Sequence, residues 1–157
     1  MVSMYTNKLV DTVADEAKKA ASFLRKKNGQ LVLIDVWPFL PSIFDKSPSG
    51  AAWPHKKGEA FGPLLAYFLW DNAEDDVFWI EKMKEALRNI REVALEEGCT
   101  TKSAPYYTNT SLEDIKPTLI YRGNLKGLSE VKAKYDPNDV MGLTGGFKIP
   151  LGKGAAV

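Results

Sequence analysis

His55 is the only histidine in the chain. Imidazole is the side chain that ordinarily gains and loses a proton near neutral pH, so a proton-transfer step would fall to it first. Asp35 comes second, because it interrupts the apolar run Leu31-Val32-Leu33-Ile34-Asp35-Val36-Trp37. A carboxyl facing a dry cavity keeps its proton and can donate it, whereas one facing solvent or capping a loop does no chemistry. Tyr106, Tyr107 and Asn109 offer O–H and N–H donors within four positions, which is what orienting or polarising a carbonyl requires. Trp37 and Tyr67 stand in aromatic, apolar runs that can wall a pocket or pack as ordinary core. The catalytic candidates are therefore His55, Asp35 and Tyr107, and the substrate-contact candidates are Trp37, Tyr67, Tyr106 and Asn109. Asp45-Lys46 reads as a solvated pair, and Cys99 has no histidine near it in sequence to activate it.

Composition narrows what those groups can serve. With 157 residues, 45% of them apolar and 26% charged, the chain can bury one ordinary core. Lys and Arg number 21 against 20 for Asp and Glu, so no electrostatic footprint for nucleic acid or an anionic membrane is present. One cysteine cannot form an internal disulfide, and with one histidine it cannot complete a closed zinc site, so no metal is expected. The first residues, MVSMYTNKLVDTVADEAKK, become charged before an apolar core develops, and no stretch reaches the roughly 20 apolar residues of a membrane span. A soluble, cytoplasmic protein is the expectation.

The elements that must position the candidates follow from periodicity. Leu9, Val13, Ala17, Ala20 and Leu24 predict an amphipathic helix stopped at Asn28-Gly29. Residues 31–37 predict a strand closed by Pro38 and Pro41, and 64–70, LLAYFLW, a second one. Between them, 41–63 is rich in Pro, Gly and Ser and reads as a long ordered loop of the kind that carries function. Trp79, Met83, Ala86, Leu87, Ile90, Val93 and Ala94 give the longest helical stripe, ending at Gly98. Residues 103–107 and 117–121 read as short strands, and Leu125, Leu128, Val131 and Tyr135 as a last helix ended by Asp136-Pro137. The fold class expected is α+β, an antiparallel sheet with helices on one face. One domain is expected over 1–157: an N-terminal helix to 28, a sheet-and-helix core over 29–120, a C-terminal helix over 121–141 and a tail over 142–157.

The run Tyr121-Arg122-Gly123-Asn124-Leu125, with Leu128, Val131, Lys132, Lys134 and Tyr135-Asp136-Pro137-Asn138-Asp139-Val140-Met141, resembles the terminal signature of berberine-bridge-enzyme-like oxidases. Trp53-Pro54-His55 with Gly58, the strand ending at Trp70, and Tyr107-Thr108-Asn109 resemble matching segments of fungal members. The resemblance implies a ferredoxin-like substrate domain whose open sheet face closes over a flavin, with Tyr107 and Asn109 near it. It also implies that the terminal helix docks through its apolar face, with Tyr135 anchoring its exit. The family's larger flavin domain has no counterpart in residues 1–42, and the strand position that holds a polar base in plant members falls near Leu65 or Ala66.

These departures turn the expectation away from oxidation. The reading is a cofactor-independent cyclase or isomerase of fungal-type secondary metabolism, acting on an apolar conjugated substrate, with the open sheet face covered in a homodimer. Two rivals stand beside it. One is half of a split oxidase that receives FAD from a flavin-domain partner, and the other is a non-catalytic carrier of a hydrophobic metabolite.

Overall fold

The structure is a computed structural model that describes residues 1–48, 50–58 and 62–152. The chain divides into two compact units, Met1–Pro41 with Ala60–Ala104, and Ser42–Glu59 with Pro105–Val157.

The first unit is α+β. Helix α1 (Asn7–Ala21) starts at Thr6, whose hydroxyl accepts the Leu9 N–H at 3.2 Å and so satisfies one of the orphan amides of the first turn. Its stripe is buried as the spacing predicts at Leu9, Val13 and Ala20, but Glu16 rather than Ala17 completes the buried face. The Glu16 carboxylate lies under the Lys19 ammonium at 2.6 Å, which compensates its burial. The α-helix stops at Ala21, and a 3-10 turn (Leu24–Lys26) leads to Asn28, whose φ of 48° is left-handed. Asparagine tolerates that region better than most residues, so the chain can reverse there into a strand.

Strand β1 (Gly29–Val36) pairs antiparallel with β2 (Leu64–Trp70), with Leu33 opposite Tyr67 and Val36 opposite Leu64. Side chains alternate across a strand. Ile34, Val36 and Leu64 face the helices and pack on the core of Val2, Leu9, Val13, Ile90, Ala94 and Cys99. Helix α3 (Asp76–Glu96) presents the buried stripe Trp79, Met83, Ala86, Ile90 and Ala94 to the same side. The two strands thus carry both long helices on one face, as the patterning predicts. On the other face Leu31, Leu33, Tyr67 and Leu69 are 39–55% exposed, an apolar row without a cover among the described residues.

Trp79 locks the unit together. It is fully buried, stands edge-on to Phe68 and Phe78, and donates from Nε1 to the Lys27 carbonyl at 2.8 Å. Beside it Asp75 accepts from the Asn28 amide at 2.9 Å and from Lys27 Nζ at 3.2 Å, tying the start of β1 to the start of α3. The Asn28 bond, then the Lys27 ammonium, hold the Asp75 carboxyl below the usual carboxylate range.

The second unit contains no strand among its described residues. Residues 103–107, expected as a strand, are irregular; Tyr106 N–H makes a single cross-chain bond to the Leu119 carbonyl at 3.1 Å. Residues 117–121, also expected as a strand, form the helix α4 (Pro117–Tyr121). Pro117 occupies its first turn, where a fixed φ favours helix, and a five-residue apolar run does not reveal its period. The long loop holds the short helix α2 (Pro41–Asp45). Helix α5 (Leu125–Tyr135) forms where the spacing places it, yet Val131 and Tyr135 are exposed, so Tyr135 does not anchor the exit. Asp136 does that instead: its two carboxylate oxygens accept the Val140 and Met141 N–H groups at 2.7 and 3.1 Å. Those bonds cap a 3-10 turn (Val140–Leu143) that crosses the expected boundary between the C-terminal helix and the tail, and Lys132 pairs with both Asp136 and Asp139. No helix among the described residues is long and apolar enough to cross a membrane.

Candidate functional site

The candidates divide between the units. In the first, Asp35 is engaged by its own neighbours: Oδ1 accepts the Val36 N–H at 2.9 Å and Oδ2 accepts Trp37 Nε1–H at 2.6 Å. This is the capping arrangement, and it also fixes Trp37, whose ring lies 6.0 Å from that of Phe39. Tyr67 stands on the exposed sheet face opposite Leu33. Cys99 is fully buried.

The second unit brings the remaining candidates to one stretch of chain. Tyr106 and Tyr107 are both partly buried and precede a 3-10 turn (Thr108–Thr110). Asn109 donates to the Tyr107 hydroxyl at 3.3 Å, and Ser111 donates to the Tyr107 carbonyl at 2.7 Å. The Tyr106 carbonyl receives Trp53 Nε1–H at 2.9 Å, which fixes the indole.

Around that indole lies a cleft of about 530 Å3, a size that suits a small organic ligand. Phe44, Trp53 and His55 form its aromatic wall; the Trp53 and His55 rings lie 12° from parallel at 6.4 Å, with Phe44 5.5 Å from Trp53. His55 Nδ1 lies 3.1 Å from the Trp53 carbonyl oxygen. A carbonyl only accepts, so in this contact Nδ1 is the donor and Nε2 is the ring nitrogen left for a ligand. One charge of each sign lines the cleft, Asp45, whose Oδ1 accepts the Gly58 N–H at 2.7 Å, and Lys57, which makes no ion pair among the described residues.

Asn124 is the residue that holds this arrangement in place. It occupies the N-cap position of α5, where asparagine is favoured for its side chain, yet it makes no capping bond. Its amide reaches instead to the Ala51 and Ala52 carbonyls at 3.1 and 3.3 Å, pinning the segment that leads into Trp53-Pro54-His55. The sequence placed His55 correctly as a loop residue but did not pick out Phe44, Lys57 or Asn124 as its neighbours. The one available signal was the recurrence of aromatic and basic residues through a proline-rich loop.

Residues 106–144, all within the second unit, match the family model described as "Berberine and berberine like". The chain is similar to Berberine bridge enzyme-like 4 of Arabidopsis thaliana, 30% identical over 131 residues that cover 73% of this chain and 23% of that protein. It is equally similar to Berberine bridge enzyme-like 17 of the same plant, 30% identical over 120 residues that cover 66% of this chain and 21% of that one. No solved structure matches it significantly.

The chain spans under a quarter of the length of the curated relatives it matches, and it is to this limited portion of the Berberine bridge enzyme-like proteins that it is similar.

Proposed function

We propose that the second unit binds a planar, conjugated small molecule against the Phe44–Trp53–His55 wall and that His55 moves a proton on it, making the chain a cofactor-independent isomerase or cyclase. The observation that carries this is the contact of His55 Nδ1 with the Trp53 carbonyl oxygen in a ligand-sized cleft. In an isomerisation, Nε2 takes a proton from the carbon α to a carbonyl, the electron pair delocalises through the alkene, and the imidazolium returns the proton to the γ carbon. Substrate and product have the same atoms and electrons, so no co-reactant enters. The aromatic wall supplies the flat contact that holds the π-system in one plane during the transfer. Tyr107 is not assigned a step, because it does not line the cleft.

The test is the conversion of a β,γ-unsaturated aryl ketone to its conjugated isomer, followed by ultraviolet absorption. Removing a general base costs about 100-fold or more, so His55→Gln should lose at least that. Full rate in His55→Gln, or binding of the ketone without conversion, overturns the assignment; the latter outcome is that of a carrier.

A second reading is supported by the uncovered apolar row of Leu31, Leu33, Tyr67 and Leu69 on the first unit and by the short span of the relatives that the chain covers. Half of an FAD-linked oxidase would present such a face to a flavin-bearing partner. Flavin absorbance in the purified protein, or its appearance only with a partner chain, distinguishes this reading.

A further inference from the structure

Asn28-Gly29 is the one Asn-Gly pair in the chain, and the fold requires both halves of it. Asn28 takes a left-handed φ of 48°, and its side-chain amide donates to Asp75 Oδ2 at 2.9 Å. Gly29 opens β1 against Trp79, where a Cβ would meet the indole at 2.5 Å. The same pair is prone to react with itself, because no side chain on the glycine shields the asparagine carboxamide from the next backbone nitrogen. Attack of Gly29 N on Asn28 Cγ forms a cyclic imide and breaks the Cγ–Nδ2 bond, and Nδ2 leaves as ammonia with the Gly29 amide proton. Water then opens the imide at either carbonyl, leaving aspartate or isoaspartate. Asn28 is exposed, so water reaches it. In the folded chain the bond to Asp75 holds the carboxamide, and β1 holds the nitrogen that would attack it.

We propose that Asn28-Gly29 is a deamidation site kept silent by the Asp75 anchor, and that reaction while the anchor is open prevents it from closing again. The new carboxylate cannot donate a hydrogen bond, and it faces Asp75, which is buried. The connection into α3 already carries Asp71, Glu74, Asp75 and Asp76, and Lys27, 3.2 Å from Asp75 Oδ1, would have to serve two carboxylates at once. In the isoaspartate form the main chain also runs through the former side chain. That adds a carbon to the backbone immediately before Gly29, where the fit against Trp79 leaves no room for a methyl group. A transient local opening is thereby converted into a lasting one that separates the start of β1 from the start of α3.

The full chain is incubated at neutral pH, folded and in urea, and conversion at residue 28 is followed by peptide mass spectrometry. A site that reacts only when open is slowed by the fraction of time it is open, so conversion in the folded chain should be slower than in urea by about tenfold or more. Asp75→Ala, checked by near-ultraviolet circular dichroism to be folded, should speed conversion at residue 28 severalfold. Equal rates in the folded and urea-unfolded chain, or an unchanged rate in folded Asp75→Ala, overturn the anchor. The lasting effect is read separately: Asn28→Asp should lower the urea midpoint, and adding Asp75→Asn, which sets a donor opposite an acceptor again, should recover most of the loss. An unaltered midpoint in Asn28→Asp, or no recovery in the double variant, overturns it.

Discussion

Substituting Asn124 by alanine separates the role of the loop anchor from the chemistry of the loop it anchors. The side chain makes two hydrogen bonds, to the Ala51 and Ala52 carbonyls, and both are exposed, so water can replace them. A net hydrogen bond contributes about 0.5–1.5 kcal/mol, and exposure places these at the lower end, giving about 1–2 kcal/mol for the pair. That shifts the balance between docked and undocked loop by about 5- to 30-fold. Because Asn124 makes no capping bond, its loss should leave α5 intact. Hydrogen exchange read by mass spectrometry should therefore show faster exchange by about that factor for amides of residues 50–55, with those of 125–135 unchanged. Asn124→Asp, which keeps the shape but cannot donate, should behave like alanine. Unchanged exchange at 50–55, or acceleration spread equally through α5, would refute the anchor.

Two further outcomes probe the first unit. A Cβ added at Gly29 would stand 2.5 Å from Trp79 Cζ2 and 2.7 Å from Leu24 Cδ2, so Gly29→Ala should cost about 1–3 kcal/mol in urea unfolding. Trp79→Phe removes the indole atom it meets, so the alanine should cost less in that background, and additive costs would contradict the contact. Asp75 is depressed in the folded state, so its interactions contribute above the ordinary aspartate value and fade as pH falls through the lower folded value. The stability difference between the unsubstituted chain and Asp75→Asn should accordingly be full at pH 7 and shrink below about pH 4, as compared by urea midpoints. A difference that grows on acidification would reverse the sign argued here.

The first unit was legible because its elements are long and their periods clean. The Trp79 to Ala94 stripe runs through most of α3, and the alternation of Leu31 to Val36 resolves into two sheet faces once β2 is paired with it. The second unit was not, because its elements are short. Pro117–Tyr121 is too brief to distinguish helix from strand, and the turn at Val140–Leu143 comes from the Asp136 carboxylate, a side-chain effect that no hydrophobic period reports. His55 could be named as a candidate by residue type, while the surroundings of the cleft depend on distant bonds: Trp53 to the Tyr106 carbonyl and Asn124 to Ala51. Asp35 was conspicuous in sequence as a carboxylate within an apolar strand, whereas the bonds its oxygens accept from the Val36 N–H and Trp37 Nε1–H are visible only in the local geometry.

Among the described residues, β1 and β2 each pair along one side only. The apolar row of Leu31, Leu33, Tyr67 and Leu69 lies between two edges of free backbone N–H and C=O groups, and such an edge is a template for another strand. Mass action then enters every measurement on the protein: self-association through this face would occupy a larger fraction of chains as concentration rises. Rates and affinities should be compared at one chain concentration, and dilution becomes an experimental variable in its own right.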